Sequence, residues 1–164
     1  MLDQELKEQL GEYLKLLENN IVIKVSAGND DVSQEMVSLI NELAALSPKI
    51  IIKNETLPRT PSFSVNREGE DTGITFAGVP MGHEFTSLIL ALLQVSGRAP
   101  KIEPELVNRI KAIEGNYLFE TYVSLSCHIC PEVVQALNAI SVLNPNITHT
   151  MIDGAVFTEE VESK

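Results

Sequence analysis

Apolar residues recur at helical spacing from the start of the chain: over about residues 3–18, Leu6, Leu10, Tyr13, Leu14 and Leu17 share one face. The period then changes. Ile21-Val22-Ile23-Lys24-Val25 reads as a strand, and the polar turn Ala27-Gly28-Asn29-Asp30-Asp31 leads into a second helix carrying Met36, Val37, Ile40, Leu43 and Leu46. Ser47-Pro48 ends that helix, because the residue before a proline is driven out of the helical region. Ile50-Ile51-Ile52-Lys53 forms another strand, a loop over Asn54 to Thr60 follows, and Pro61-Ser62-Phe63-Ser64-Val65 and Gly73-Ile74-Thr75-Phe76-Ala77-Gly78 form a pair of strands. A helix from about Glu84 to Gln94, faced by Phe85, Leu88, Ile89 and Leu92, completes an αβαβ-loop-ββα order.

Ser96-Gly97-Arg98-Ala99-Pro100 is a turn-rich boundary, beyond which the pattern restarts. An opening helix carries Leu106, Ile110 and Ile113, the run from Leu118 to Leu125 reads as a strand, and Val133, Val134, Leu137, Ile140 and Leu143 mark the next helix. Sliding the chain on itself by 97 residues brings Glu35 onto Glu132, Val37 onto Val134, Asn41 onto Asn138, Leu46 onto Leu143, Pro48 onto Pro145 and Ile50 onto Ile147 without a gap. A duplicated unit is expected, with residues 1–97 as the first copy and 98–164 as the second. The second copy stops early: only 15 residues follow His149, so its final ββα is absent and an exposed edge strand is expected.

Both cysteines lie in Ser126-Cys127-His128-Ile129-Cys130-Pro131, where the second copy passes from strand to helix. Two intervening residues allow a disulfide ring to close in the first helical turn. Pro131 suits that turn, where a missing N–H costs no hydrogen bond. A helix N-terminus favours the thiolate, which makes Cys127 the expected nucleophile and Cys130, deeper in the helix, the resolving thiol. The alternatives are half of a zinc site or an inert pair of cysteines. A zinc site would need histidines, and of His83, His128 and His149 one lies inside the motif while the other two lack ligand spacing. In the first copy Asp30 and Ser33 take the cysteine positions, and no disulfide can form there.

With 164 residues, 44% of them hydrophobic, the chain can build a sizeable core. A formal net charge of −11 argues against nucleic acid or an anionic membrane as partner. The opening Met1-Leu2-Asp3-Gln4-Glu5 lacks the basic and apolar regions of a signal peptide, and no segment approaches a membrane span, so a cytoplasmic protein is expected. GxGxxG, GxxxxGK[ST] and HExxH are all absent, so the electrons must come from another protein or domain.

The β-CxxC-α-β pattern with a preceding helix resembles the thioredoxin fold, and two tandem copies with cysteines only in the second resemble the N-terminal domain of the F subunit of bacterial alkyl hydroperoxide reductase. The motifs that carry the resemblance are Pro61-Ser62-Phe63, Gly82-His83-Glu84-Phe85-Thr86-Ser87, Tyr122-Val123-Ser124-Leu125-Ser126-Cys127-His128 with Cys130-Pro131, Val142-Leu143-Asn144-Pro145 and Ile152-Asp153-Gly154. The resemblance implies an α/β protein of two tandem thioredoxin-like units, the second incomplete. It implies a disulfide oxidoreductase module with no cofactor of its own, served by FAD and NAD(P)H in the C-terminal part of a longer flavoprotein. Cys127 and Cys130 would take electrons from the reductase domain of that flavoprotein and pass them to the disulfide of the peroxiredoxin subunit in defence against hydroperoxides. Glu84 matches the carboxylate that the family places near the redox pair, and Pro61 matches the cis-proline of the cysteine-free unit. The competing readings are a docking module with incidental cysteines and a zinc-binding adaptor.

Overall fold

In the computed structural model, which describes residues 3–163, the chain folds around one six-stranded sheet ordered β2-β1-β3-β4-β6-β5. Met1 and Leu2 of the opening stretch lie outside the described residues. Helix α1 (Gln4–Leu14) begins where the Asp3 carboxylate accepts from the Leu6 N–H at 2.7 Å, and α2 (Asp31–Leu46) begins at the equivalent Asp30 cap. β1 (Ile21–Ser26) lies between β2 (Ile50–Asn54), which is parallel to it, and β3 (Ser62–Arg67), which is antiparallel. β3 returns through β4 (Glu70–Ala77), and Phe63 and Phe76 stack across that pair with ring centroids 5.3 Å apart. Helix α3 (Phe85–Val95) then buries Leu88, Leu92 and Val95.

The chain continues through α4 (Pro104–Lys111), β5 (Tyr117–Val123), α5 (Cys130–Leu143), β6 (Ile147–Asp153) and the short α6 (Thr158–Glu162). β6 pairs in parallel with both β5 and β4, so the later strands extend the earlier four-stranded sheet without a break. Gly73 permits that seam: its φ is +85°, and a Cβ there would lie 2.9 Å from the Thr148 side chain. α5 packs on α3, α4, β4 and β6, which places the start of α5 against the end of the first half.

β5 is the free edge. Among the described residues it pairs only with β6, and Tyr117, Leu118 and Phe119 are exposed, Leu118 by 67%. Ile113, a few residues before it, is exposed as well.

Several helical positions differ from the sequence pattern. Tyr13, Leu106 and Val133, placed on apolar faces by spacing, are exposed. In α1 the buried stripe is the narrower one through Leu10 and Leu14, with Leu17 buried just beyond the helix end. In α5 it runs through Val134, Asn138, Ala139 and Ser141, half of them polar, so a hydrophobic template drew the face one position too early. The first helix also stops at Leu14 rather than near residue 18, its last residues forming a turn.

Candidate redox site

β5 ends at Val123, and the segment from Ser124 to Ile129 forms the turn that delivers the two sulfurs. The Cys127 N–H donates to the Ser124 carbonyl at 3.0 Å, while the Ser124 and Ser126 hydroxyls meet at 3.0 Å. Cys127 therefore stands in the turn, ahead of the helix, and Cys130 is the first residue of α5 with Pro131 next. This refines the sequence expectation, which put both cysteines inside the first helical turn.

Cys127 and Cys130 form a disulfide, with Cα atoms 5.6 Å apart. Both are half-buried, and Cys130 packs against the core. The Cys130 N–H donates to Cys127 Sγ at 3.2 Å. That amide is one of the unsatisfied donors of a helix N-terminus, and in the reduced state it would favour negative charge on Cys127. The flanking His128 and Ile129 are exposed, Ile129 by 70%.

A turn from the first half closes over this segment. The 3-10 turn Gly82–Glu84 packs on α5, and the His83 N–H donates to the Leu125 carbonyl at 3.1 Å. Gly82 makes this approach possible, because its φ is +58° and a Cβ would sit 2.8 Å from the Leu125 oxygen. The His83 and His128 rings meet edge to face with centroids 4.5 Å apart. Glu84, the next residue, is fully buried and accepts from the Ser87 hydroxyl at 2.8 Å. Burial pushes its carboxyl pKa up, partly offset by that hydrogen bond and by the charge of His83.

The equivalent place in the first half carries no sulfur. Asp30 accepts from the Ser33 hydroxyl at 2.6 Å, Gly28 N–H donates to Ser33 Oγ at 3.0 Å, and the Thr60–Pro61 peptide bond beside them is cis. Ser26 and Thr60 hydroxyls, 2.7 Å apart, tie the cis-proline loop to β1.

His149, which lacked ligand spacing in sequence, is a core residue with no exposure. Its Nδ1 meets Asn138 Oδ1 at 2.7 Å and its Nε2 meets Thr121 Oγ1 at 2.8 Å, which links β6 to α5 and β5. Burial holds its pKa down at about 4. The signal was present: His149 has the strand parity of the inward residues Ile147 and Met151. A second polar cluster escaped the sequence reading altogether. Arg59 bridges Glu120 on β5 and Glu160 on α6, and Tyr122 donates to Glu160, so the loop before Pro61 clamps the later strands. Among the described residues no three His, Cys, Asp or Glu side chains converge on a point that would hold a metal.

A cleft of about 560 Å³, lined by residues such as Leu93, Ile102, Leu106 and Ile140, lies between α3, α4 and α5 and does not include the cysteines. Exchange with a protein disulfide needs a sulfur at the surface rather than a cavity, and half-buried Cys127 lies between the exposed Ser126 and His128.

A mixed α/β sheet presenting a CxxC disulfide at a helix N-terminus defines a thioredoxin-like dithiol–disulfide module. No family model matches the chain. Its whole length is nonetheless similar to curated proteins: 63% identical over 164 residues to an NADH dehydrogenase of Bacillus subtilis, and 60% identical over 163 residues to the F subunit of alkyl hydroperoxide reductase from Staphylococcus epidermidis. In both cases the chain spans about a third of the relative, 32% of its length. Among solved structures, the N-terminal domain of the alkyl hydroperoxide reductase AhpF from Enterococcus faecalis superposes with a TM-score of 0.90 and 29% identity, covering 99% of this chain and 85% of that one. A protein disulfide oxidoreductase from Aeropyrum pernix shares the fold, with a TM-score of 0.84 at 17% identity over 99% of this chain and 80% of that one. The resemblance drawn from the motifs thus holds over the whole chain: it is homologous to part of the F subunit of alkyl hydroperoxide reductase and has the fold of the N-terminal domain of that protein. That similarity and the closed Cys127–Cys130 disulfide together support a redox disulfide module.

Proposed function

We propose that Cys127 and Cys130 carry electrons from the reductase domain of a longer flavoprotein to the disulfide of a peroxiredoxin, in the cytoplasm. The observation that carries this reading is the exposed turn placing Cys127 Sγ in front of the Cys130 N–H at the head of α5. The longer protein would hold FAD and NAD(P)H elsewhere. Within this chain no GxGxxG stands to cradle a dinucleotide pyrophosphate, and the turn ahead of α2 carries the carboxylates of Asp30 and Asp31. No step is therefore routed through them here.

In the reduced module the Cys127 thiolate attacks one sulfur of the partner disulfide. The partner S–S bond breaks, a mixed disulfide forms, and the partner's second sulfur leaves as a thiolate that takes up a proton. The Cys130 thiol loses its proton and attacks Cys127 Sγ, which releases the partner's first sulfur and leaves Cys127–Cys130 oxidised. Two electrons and two protons pass in total. Glu84, buried in the turn that packs on this segment, exchanges a proton as the dithiol cycles. The division into units at residues 1–97 and 98–164 belongs to the same reading, in which later residues of the longer protein complete the second unit along the β5 edge.

The test is interception. With Cys130→Ser the second attack is lost, and a mixed disulfide between Cys127 and the peroxiredoxin accumulates, seen by mass spectrometry and dispersed by reductant. A Cys130→Ser module that reacts through no mixed disulfide would refute the reading and leave the cysteines incidental.

A further inference from the structure

The hydroxyl that holds Glu84 is itself held. Ser87 Oγ donates its only hydrogen to Glu84 Oε1 at 2.8 Å and accepts from Gln135 Nε2 at 3.2 Å. Ser87 lies on α3 and Gln135 on α5, one and a half turns beyond Cys130, so this chain of bonds crosses from the half without cysteines to the helix that carries one. Ser87 is 1% exposed and Glu84 fully buried, while Glu84 Oε2 is buried with no hydrogen-bond partner among the described residues.

We propose that Ser87 and Gln135 are positioning residues that fix the protonation geometry of Glu84: Gln135 occupies a lone pair of the Ser87 hydroxyl, which commits the hydroxyl hydrogen to Oε1 and leaves Oε2 as the oxygen that gains and loses the proton. A carboxyl with hydrogen on Oε1 would meet the Ser87 hydrogen head-on. The unpartnered oxygen is therefore the reactive one, and the amide of Gln135 keeps it so. Of the charged and titratable groups, His83 on its own turn acts on Glu84 directly; the His83 ring meets that of His128 in the cysteine loop, and Glu132 stands in the first turn of α5, on which the Gly82–Glu84 turn packs. The link to the dithiol rests on the proposed proton exchange by Glu84, and the test separates the two.

Gln135→Glu keeps the size of the side chain but replaces the donor with an acceptor, so the Ser87 hydrogen turns away from Glu84. Ser87→Ala removes the hydrogen outright. In the isotope-labelled, reduced protein, the Glu84 carboxyl carbon titration midpoint should rise by about one pH unit in Ser87→Ala, since a hydrogen bond to the charged form is lost. It should also rise in Gln135→Glu. Gln135→Met, which lacks the donor without adding charge, should move it less and in the same direction. The pH profile of Cys127 alkylation, measured on the same samples, should follow the Glu84 midpoint. An unchanged midpoint in both Ser87→Ala and Gln135→Glu, in protein whose amide spectrum shows the native fold, overturns the proposal. A moved midpoint with an alkylation profile indifferent to it and to Glu84→Gln supports the positioning of Glu84 and refutes its exchange with the dithiol.

Discussion

His149 sits without exposure between α5, β5 and β6, its two ring nitrogens taken by Asn138 and Thr121. Asn138 Oδ1 only accepts, so Nδ1 donates to it and Nε2 accepts from the Thr121 hydroxyl, an arrangement that suits the neutral ring. The folded pKa is about 4 against an ordinary 6.5. A histidine with a depressed folded pKa gives the unfolded chain the greater proton affinity. Its stabilising share is therefore complete above the unfolded value and drains away as pH falls from about 6.5 towards about 4. The full span corresponds to roughly 3 kcal/mol, and about 2 kcal/mol of it is lost by about pH 5. Urea denaturation of wild type and His149→Gln at about pH 7 and about pH 5 isolates this share, since Gln cannot titrate and few ordinary carboxylates protonate in that window. Wild type should lose about 2 kcal/mol more than the variant on acidification. The variant's own loss of stability does not enter, because the comparison is between slopes. Parallel losses in the two proteins would rule out a buried neutral ring at this position, as would a His149 ring proton that titrates near 6.5 by NMR.

Other perturbations follow from the same geometry. Gly82→Ala introduces a Cβ 2.8 Å from the Leu125 carbonyl at a φ of +58°, and should cost about 2 kcal/mol in denaturation while slowing thiol–disulfide exchange, because the turn must retreat from the cysteine loop. Arg59→Met leaves Glu120 and Glu160 without their shared guanidinium, and amide exchange across Thr158–Glu162 should accelerate about tenfold. Leu118→Lys, on the exposed edge of β5, should change the stability of this chain by less than about 0.5 kcal/mol, yet destabilise the longer protein by about 2 kcal/mol if later residues cover that edge; equal effects in both would contradict the completed second unit.

The architecture was legible because local signals agreed with the final packing. The polar turn before α2, the Ser47-Pro48 stop and the β-branched runs at Ile21 and Ile50 each bound or form an element with nearly the expected limits. The 97-residue repeat anticipated that Cys127 would stand where Asp30 stands, each ahead of a helix on the sheet. What spacing could not supply was cross-chain geometry. His83 and His128 are far apart in sequence and meet only because Gly82 lets its turn approach Leu125. Arg59 reaches Glu160 because β6 joins β4 in parallel, a seam that no local pattern encodes. Helical periodicity also assumes that one face is apolar, and α5 breaks the assumption by burying Asn138 and Ser141, the former to serve His149.

Turnover puts electron passage through Cys127 to its sharpest test. The module, pre-reduced and continuously supplied by an upstream dithiol reductase, is mixed with the disulfide form of the cognate peroxiredoxin, and the appearance of peroxiredoxin thiols is followed for wild type and Cys127→Ser. Steady reduction by wild type is expected, with none above background by the variant. Equal rates for the two, or a wild-type rate no higher than that of the upstream reductase alone, would show that the electrons take another route.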